Sequence, residues 1–285
     1  MNLSIDNISF RYSRKKPWVL EDFSLNFDTG GVIGLLGPNG VGKSTLLYII
    51  SGLLFPATGE ASFGGVRTSL RRPDVLSEIF LVPEEIDLPK MTLEAYCKVT
   101  APFYPKFDRE VLDMCLSEFE FVPTGSIDAL SMGQKKKIFL SIAFAAGTRV
   151  LLMDEPTNGL DIPGKAAFRR ICARLASDDR IFIISTHQVR DLDKLLDHVV
   201  IMSQRKAILN AGIADIQRRL KFVQTREVPT DALYQLPSVG GFDIITPNPD
   251  DEETEVNLES LFAFAMGNPD KITELFTQNN SQEND

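Results

Sequence analysis

The chain has 285 residues, 44% of them hydrophobic, so it can bury a sizeable core as one large domain or as one domain with an appendage. Its formal net charge of -9 disfavours a nucleic-acid backbone as the main partner, and no nucleic acid is expected to bind. The amino terminus does not resemble a secretory signal, and no apolar run approaches the roughly 18 residues of a membrane-spanning helix. The 3 cysteines lack a metal-ligand spacing. We therefore expect a reduced, cytosolic protein.

Two segments of alternating polar and apolar residues begin the chain. Residues 3–10 and 19–27 follow this pattern, which is typical of half-buried strands, and they predict an antiparallel layer. Tyr12 stands at the end of the first strand. There its ring either stacks on an adenine base or packs on the sheet, and the residue alone leaves both interpretations open.

A glycine-rich motif, Gly-Pro-Asn-Gly-Val-Gly-Lys-Ser-Thr, occupies residues 37–45. It follows an apolar run at 32–36 and precedes an apolar helical segment, which is the strand–loop–helix context of a phosphate-binding loop. Glycine permits positive φ and leaves room for phosphates, so backbone N–H groups and the helix N-terminus can hold an anion. We expect Lys43 to reach the β- and γ-phosphates and the Ser44 hydroxyl to ligate Mg²⁺. The residues expected to contact the nucleotide are Gly37, Pro38, Asn39, Gly40, Val41, Gly42, Lys43, Ser44 and Thr45.

The middle of the chain is predicted to form a short strand and then a helical insertion. Residues 79–82 are a short apolar run that suits a buried strand. Between later prolines, residues 92–100 and 108–119 have helical patterns, and Asp108 stands in the N-cap position of the second. We therefore predict a mostly helical subdomain over about residues 87–146.

The insertion ends in the sequence Leu-Ser-Met-Gly-Gln at residues 130–134, followed by three lysines and an apolar helix at 138–146. Ser131 and Gly133 stand where a helix begins, so they could present a hydroxyl, backbone N–H groups and the helix dipole to an anion. The plain alternative is an ordinary helix cap with a solvated lysine run. The residues alone leave the two open.

Two carboxylates, Asp154 and Glu155, follow a fully apolar strand at residues 150–153. Carboxylates are costly at the end of a buried strand unless a cation or a water molecule needs them there. Asp154 suits the second shell of Mg²⁺, and Glu155 suits a base that orients the attacking water, which are parts that phosphoryl transfer needs. An exposed turn between strand and loop would also accommodate both.

The remaining strands of the first 220 residues extend the same sheet. Residues 181–185 form an apolar strand that brings His187 to its carboxyl end, where ligands of parallel sheets bind. Helices at 163–176 and 189–196 and a strand at 198–202 complete an alternation that predicts a parallel sheet with right-handed crossovers.

Taken together, these motifs resemble the ATP-binding-cassette (ABC) ATPases over roughly residues 3–220. The ordered set is specific, because the signature separates this family from kinases and GTPases that share only the phosphate loop. Met132 stands where a glycine is usual. The matching segments are the Walker A motif at 37–45, the signature at 130–134, the Walker B motif at 150–155, the D-loop at 158–161, the switch histidine His187 and the adenine-stacking aromatic Tyr12.

The resemblance implies an α/β fold, a P-loop NTPase cassette with a parallel core sheet, an N-terminal antiparallel β layer and an inserted helical subdomain. We expect the cassette at residues 1–220 and a small C-terminal α/β extension at 221–285. An apolar helical face at 256–266 is expected to dock on the cassette or its dimer mate, or to hold a cargo or regulator. Residues 279–285 are expected to be disordered.

The resemblance also implies how the site works. In this family two cassettes close head to tail over ATP and Mg²⁺, so that the signature of one completes the ATP site of the other, in a homodimer or a heterodimer. The implied roles are catalysis by Glu155, His187, Lys43 and Glu84, magnesium binding by Ser44, Asp154 and Glu84, and nucleotide contact across the dimer by Ser131, Gly133, Gln134 and Asp161.

One residue departs from the family pattern. After the strand at 79–82 the family has a glutamine that approaches Mg²⁺ and the attacking water and senses the membrane partner, whereas here Pro83 leads into Glu84. A carboxylate can still ligate Mg²⁺, but it adds negative charge beside the γ-phosphate and cannot donate a hydrogen bond. Glu85 is the aligned residue if the loop is shifted.

The resemblance finally implies an ATP-hydrolysing subunit of an ABC transporter, more exporter-like than importer-like. It would power a separate transmembrane permease from the cytoplasmic face of the cell membrane, and the permease would dock on the proline-rich stretch at 84–104. The alternative is a soluble ABC ATPase that acts in translation, on DNA or as an ATP-gated scaffold. Co-purification with an integral membrane protein would separate the two classes.

Overall fold

The structure, a computed structural model, describes residues 2–192 and 194–277. Within these ranges the strands are β1 (Leu3–Phe10), β2 (Leu20–Phe27), β3 (Gly31–Leu36), β4 (Thr58–Phe63), β5 (Val66–Arg67), β6 (Ile79–Val82), β7 (Val150–Asp154), β8 (Ile181–Thr186), β9 (His198–Ser203), β10 (Lys206–Gly212), β11 (Leu220–Thr225), β12 (Tyr234–Ser238) and β13 (Gly241–Pro247). The helices are α1 (Lys43–Ile50), α2 (Pro73–Leu76), α3 (Leu93–Thr100), α4 (Arg109–Glu118), α5 (Met132–Ala145), α6 (Ile162–Leu175), α7 (Ile213–Arg219), α8 (Leu258–Gly267) and α9 (Pro269–Thr277). No described helix combines the length and the apolar character needed to cross a membrane.

The central sheet has its strands in the order β10-β9-β3-β8-β7-β6. Neighbours from β9 to β6 are parallel, whereas β10 runs antiparallel to β9. Every residue of β3, β7 and β8 is buried, as expected for strands covered on both faces. The register pairs Leu36 with Thr186 and Asp154 with Ser185, so the carboxyl ends of these three strands lie at one edge. The predicted parallel sheet is confirmed, with β10 as an antiparallel addition.

The predicted N-terminal β layer is confirmed as an antiparallel sheet in the order β2-β1-β4-β5. Leu3 and Ile5 of β1 are fully buried, and they share one core with Ile33 of β3 and with Leu46 and Leu47 of α1. Helix α1 contacts both β4 of this layer and β7 of the central sheet. The helix that begins at the glycine-rich loop is therefore fixed by both sheets.

The predicted helical insertion is also confirmed. Thr92 caps α3 and Asp108 caps α4, where the Asp108 carboxylate accepts the Glu110 N–H at 2.8 Å. Leu112 of α4 and Ile138 of α5 are fully buried in one core cluster. The packing of α4 on α5 joins the insertion to the helix that begins at the signature.

The helix predicted at 189–196 is wrong. The segment forms a short 3₁₀ helix at Val189–Leu192, in which the Asp191 N–H bonds the carbonyl three residues earlier at 3.1 Å. The Asp191 carboxylate accepts hydrogen bonds from Thr157 at 2.8 Å and from Lys165 at 2.7 Å. These side-chain bonds hold Val189–Leu192 in a tight turn, and of the described residues at 189–192 and 194–196 only these four are helical.

The C-terminal part contains an antiparallel sheet in the order β11-β13-β12 and the helices α8 and α9. The apolar face of α8 docks on the cassette of the same chain, because Leu261 and Phe264 are fully buried in a core cluster that includes Leu209 of β10. Nearer the surface, Arg190 donates two hydrogen bonds to the Glu259 carboxylate of α8, at 2.8 and 2.9 Å. Of the alternatives for this helical face, docking on the cassette is confirmed.

The division into a cassette at 1–220 and an extension at 221–285 stays a prediction. Strand β11 begins at Leu220, next to the predicted boundary, and its residue Phe222 belongs to the large core cluster. The tail at 279–285, which we expected to be disordered, lies outside the described residues.

Candidate functional site

The glycine-rich loop connects the buried strand β3 to α1, as the sequence predicts. Gly40 and Gly42 have positive φ, 77° and 114°. At Gly42 the φ of 114° restricts the position to glycine, and a Cβ would also lie only 3.1 Å from the Val19 and Leu20 side chains. Helix α1 has no side-chain N-cap, which leaves its first N–H groups available to an anion.

Lys43 is the cation of this loop and is 6% exposed. Its ammonium donates to the carbonyls of Gly37 and Pro38 at 2.7 and 3.2 Å. Burial lowers the pKa of Lys43, while three nearby carboxylates act in the opposite direction. A buried ammonium that bonds neutral carbonyls is suited to pair with an anion such as phosphate.

Asp154 and Glu155 are buried at the end of β7, with 1% and 4% exposure. Ser185 Oγ donates to the Asp154 carboxylate, and the Glu155 N–H donates to the Ser185 carbonyl at 3.0 Å. Glu155 has φ of 45°, in the left-handed region that residues other than glycine rarely adopt. The neighbouring strand β8 therefore holds both acidic residues at the sheet edge.

The Glu155 carboxylate accepts hydrogen bonds from the two residues that end β8 and follow it. Thr186 Oγ1 donates to Oε2 at 2.9 Å, and the His187 N–H donates to Oε1 at 3.0 Å. His187 Nδ1 lies 2.7 Å from the same Oε1. Because an ionised carboxylate can only accept, Nδ1 carries the proton in this contact. The carboxylate is thus fixed at both oxygens.

These groups line one open cleft of about 370 Å³ at the carboxyl edge of the central sheet. The lining consists of Tyr12, Val19, Asn39, Gly40, Gly42, Lys43, Ser44, Thr45, Glu84, Asp154, Glu155 and His187. All except Val19 were predicted from the sequence, and a valine in an alternating strand gives no signal beyond β structure. Gly37, Pro38 and Val41 shape the loop through their backbones, since Val41 N–H bonds the Pro38 carbonyl at 3.3 Å. The chemical roles of these residues stay predictions.

Tyr12 lies between the first strand and the glycine-rich loop. Its hydroxyl is 2.9 Å from Thr45 Oγ1, and its ring packs edge-to-face on Phe10 with centroids 5.1 Å apart. The residue nevertheless remains 56% exposed. The ring both packs on the strand end and leaves surface that a base could cover.

Glu84 lines the cleft and Glu85 does not. This supports the alignment in which Glu84, and not Glu85, takes the position of the family's glutamine. Glu84 Oε1 accepts from Asn158 Nδ2 at 3.1 Å, and Asn158 Oδ1 accepts from Gln188 Nε2 at 3.0 Å. These bonds join Glu84, in the segment after β6, to Asn158, in the loop after β7, and join Asn158 to Gln188, the residue after His187. Sequence reasoning missed the bond from Asn158 to Glu84 and the bond from Gln188 to Asn158, because single amides in loops carry no distinctive pattern.

The signature residues do not reach the cleft of their own chain. Ser131 Oγ accepts the Gln134 N–H at 3.3 Å, and Gln134 Oε1 accepts the Ser131 N–H at 3.0 Å, which forms a capping box at the start of α5. Asp161 caps α6 by accepting the Gly164 N–H at 2.9 Å. The cleft lining omits Ser131, Gly133, Gln134 and Asp161. The helix-cap interpretation is confirmed within one chain, and nucleotide contact by these residues stays a prediction.

The same interpretation also expected the three lysines at 135–137 to be solvated, and this expectation is wrong for Lys136. This side chain is 2% exposed, and its ammonium donates to the Glu84 carbonyl at 2.7 Å and the Pro83 carbonyl at 3.4 Å. Lys136 lies four residues before the fully buried Leu140 within α5. Residues at this spacing share one face of a helix, so Lys136 points inward with Leu140.

The donor set fits a magnesium nucleotide. The loop offers backbone N–H groups and Lys43 to phosphate oxygens, and Ser44 and Asp154 offer the oxygen ligands that Mg²⁺ prefers. Glu84 adds a further carboxylate at the same cleft. Within residues 2–192 and 194–277, no cluster of His, Cys, Asp and Glu side chains could hold a metal by itself. Mg²⁺ at phosphoryl-transfer sites commonly takes one or two carboxylates together with phosphate oxygens.

Comparison with known proteins agrees with this geometry. The family model of the ABC transporter family matches residues 20–158. The lantibiotic transport ATP-binding protein SrtF of Streptococcus pyogenes is 31% identical over 214 residues, which are 73% of this chain and 89% of SrtF. The ABC transporter ATP-binding protein YtrB of Bacillus subtilis (strain 168) is 31% identical over 183 residues, which are 64% of this chain and 62% of YtrB.

A solved structure supports the same fold. The ATP-binding subunit of an ABC transporter superposes with a TM-score of 0.68 at 25% sequence identity, and the superposition covers 76% of this chain and 92% of that one. With SrtF matched over most of its length, the chain belongs to the ABC transporter family.

Proposed function

We propose that the protein is the ATP-binding and ATP-hydrolysing subunit of an ABC transporter that powers a separate membrane permease. The observation that carries the proposal is the cleft in which Lys43, Asp154, Glu155 and His187 converge at one edge of the sheet. The names of SrtF and YtrB, both ATP-binding proteins of transport systems, support it. The full helical insertion and the C-terminal extension favour an exporter-like subunit.

Nucleotide binding follows from the loop and its neighbours. In this proposal the phosphates occupy the glycine-rich loop, where Lys43 and the first N–H groups of α1 bond phosphate oxygens. The exposed Tyr12 ring stacks on the adenine. Ser44, Asp154 and Glu84 would hold Mg²⁺, which when bound neutralises developing charge on the phosphate oxygens.

Hydrolysis is assigned to Glu155 because its carboxylate is buried, lines the cleft and is fixed by Thr186 and His187. The carboxylate orients the attacking water and accepts its proton. The water oxygen bonds to the γ-phosphorus while the bond to the β–γ bridging oxygen breaks, which gives ADP and phosphate. His187 holds the carboxylate in the orientation that this step needs.

The proposal requires a second cassette, in a homodimer or a heterodimer. The signature and Asp161 stand at the N-termini of α5 and α6, outside the cleft of their own chain. The N-terminus of a helix carries a partial positive charge that suits a phosphate. In a closed dimer, Ser131, Gly133, Gln134 and Asp161 would contact the nucleotide held by the partner chain.

The permease is proposed to dock on residues 84–104. Two apolar side chains in this stretch face solvent, Val99 at 55% and Phe103 at 72% exposure. Large apolar side chains exposed together mark an interaction surface better than isolated ones do. The subunit would then be peripheral, on the cytoplasmic face of the cell membrane.

Co-purification from the native host tests this assignment. The tagged chain is captured from detergent-solubilised membranes, and we expect one integral membrane protein in a stoichiometric complex. Phe103→Asp should release it, whereas Val122→Asp, which alters an exposed apolar residue outside the stretch, should not. Both variants should hydrolyse ATP as the unaltered chain does when free of the permease. Capture with ribosomes or DNA, and with no membrane protein, would favour the non-transport alternative.

A further inference from the structure

A short basic loop, residues 13–17, connects β1 to β2. It carries three consecutive cations, Arg14, Lys15 and Lys16, and all three are exposed. The Lys16 N–H donates to the Ser13 carbonyl at 3.0 Å, so the cations occupy one tight turn. In the described part of the chain, none of the three forms an ion pair. Their charges are therefore available to groups that approach from solvent.

The residues that flank the basic loop belong to the nucleotide cleft. Before the loop, the Tyr12 hydroxyl lies 2.9 Å from Thr45 Oγ1 in the glycine-rich motif. After it, the Val19 N–H donates to the Phe10 carbonyl at 2.8 Å, and a Cβ added at Gly42 would lie 3.1 Å from Val19 Cγ1. Tyr12 and Val19 both line the cleft. The basic loop thus lies at the rim of the cleft, on the side where we place the adenine.

A contact across the base of the loop holds it in this position. The Arg11 guanidinium lies over the Trp18 ring, 4.3 Å from its centroid, and both residues are half-buried. Together with the bond between Val19 and Phe10, this contact joins the two sides of the hairpin. The three cations are therefore carried on a hairpin that is closed next to the cleft.

The charges elsewhere on the protein oppose the approach of a nucleotide. The chain has a formal net charge of -9, and the lining of the cleft, as far as the structure describes it, has three carboxylates and one lysine. A nucleoside triphosphate is a polyanion, so both charges repel it. Cations at the rim oppose this repulsion over about one Debye length, roughly 10 Å at 0.1 M salt. The lining groups are Glu84, Asp154, Glu155 and Lys43.

We propose that Arg14, Lys15 and Lys16 steer the nucleoside triphosphate into the cleft, so that they speed its association without contacting it once it is bound. The inference rests on the proposed nucleotide site. Steering acts on the association rate and weakens as salt is added, whereas it leaves dissociation nearly unchanged. Cations that instead contacted the bound phosphates would slow dissociation, and a loop without a role would affect neither rate.

Trp18 provides the signal for the experiment. It is the 1 tryptophan of the chain, and its neighbour Val19 lines the cleft. Energy transfer from Trp18 to a methylanthraniloyl group on a non-hydrolysable ATP analogue, adenylyl imidodiphosphate, should therefore report binding. Association is followed by stopped flow with Mg²⁺ present, and dissociation by a chase with unlabelled ATP. Each is measured at about 20 mM and about 500 mM salt.

Three variants separate charge from structure. The neutral variant carries Arg14→Gln, Lys15→Gln and Lys16→Gln. The charge-preserving variant alters the same positions without changing their charge, through Arg14→Lys, Lys15→Arg and Lys16→Arg. The matched control lowers the net charge as much as the neutral variant does, but at exposed cations of segments that do not line the cleft, through Lys98→Gln, Arg174→Gln and Arg226→Gln.

At low salt we expect the neutral variant to associate about tenfold more slowly and to dissociate within about twofold of the unaltered chain. At high salt the two should associate within about twofold of each other. The charge-preserving variant and the matched control should each stay within about twofold at both salts. Unchanged association of the neutral variant would overturn the inference, and so would faster dissociation, which would show direct contact. Equally slow association of the charge-preserving variant or of the control would also overturn it, because the effect would then come from loop structure or from net charge.

The same measurements separate this inference from the proposed function. If the unaltered chain binds the analogue and the neutral variant associates as fast, only the role of the basic loop is refuted. If the unaltered chain does not bind the analogue, the nucleotide site is refuted and the inference falls with it.

Discussion

His187 contacts one carboxylate oxygen of Glu155 through two atoms, its backbone nitrogen at 3.0 Å and its Nδ1 at 2.7 Å. Thr186 bonds the other oxygen at 2.9 Å. The carboxylate therefore has little rotational freedom, and a carboxylate fixed in this way is suited to hold a water molecule in one orientation.

Glu155→Gln should stop hydrolysis and preserve nucleotide binding. The amide keeps the shape of the carboxylate but cannot accept a proton from water, so phosphate release should fall at least about 100-fold. Bound ATP should then trap a closed dimer, which size-exclusion chromatography with light scattering would detect. Glu227→Gln, at an exposed glutamate of the extension, is the control. A Glu155→Gln protein that stays monomeric with ATP and hydrolyses it normally would contradict the assignment.

His187→Ala should lower kcat more than it changes KM. The backbone N–H of residue 187 still bonds Glu155, but the contact from Nδ1 is lost, so kcat should fall about 10- to 100-fold with KM within about threefold. Steady-state kinetics measure both, with His198→Gln as the control histidine. A raised KM with unchanged kcat would show that His187 acts in binding instead.

Ser131→Arg should abolish ATP-driven dimerisation while each chain still binds ATP. Ser131 is exposed at the start of α5, so the larger side chain would block the approach of a partner and cost only the helix cap, about 1 kcal/mol. Full hydrolysis by Ser131→Arg alone would contradict a site shared between two chains.

The thiols of the folded protein should resist alkylation at pH 8. Burial raises the pKa of Cys97 to about 11 and that of Cys115 to about 12, and it also raises the pKa of the buried Cys172. Since the thiolate is the reactive form, intact mass after iodoacetamide treatment should show no adducts on the folded chain and three on the chain in denaturant. Rapid modification of the native chain would contradict these buried positions.

The free energy of unfolding should fall as the pH is lowered through the range in which His198 titrates. Burial lowers the pKa of His198, whose Nε2 lies 2.7 Å from Asn210 Oδ1. The unfolded chain therefore takes up this proton at a higher pH than the folded chain, so the contribution is complete above about pH 6.5 and is lost as the pH falls through the folded pKa. Urea unfolding at pH 7.5 and 5.5 should show a smaller decline in His198→Gln. An identical decline in both proteins would rule out this contribution.

Residues of the cleft could be predicted at positions where the backbone conformation or the chemistry restricts the residue type. The positive φ of Gly40 and Gly42 requires glycine, and two acids after a buried strand, Asp154 and Glu155, are rare without a ligand. The alternation of strands and helices then predicts a parallel sheet, whose register brings His187 to the same edge. The first two constraints are local, and the third follows from the order of strands and helices. Each leaves a pattern in the sequence.

The contacts that were missed depend on packing between distant segments. Lys136 stands in a run of three lysines, and nothing in the run shows which one α5 turns inward against Glu84. The bonds from Asn158 to Glu84 and from Gln188 to Asn158 likewise join loops far apart in the chain. Side chains of this kind become recognisable only when the backbone brings their segments together.

The Arg190–Glu259 pair has a practical consequence for work on this protein. Arg190 lies three positions after His187, and Glu259 lies in the first turn of α8, so this pair anchors the segment beyond the histidine to the C-terminal part. A truncated chain that stops before α8 would lose the anchor together with the buried Phe264. Turnover numbers should accordingly be determined on the 285-residue chain, because shortening it would expose the core that α8 covers even though every residue of the cleft is retained.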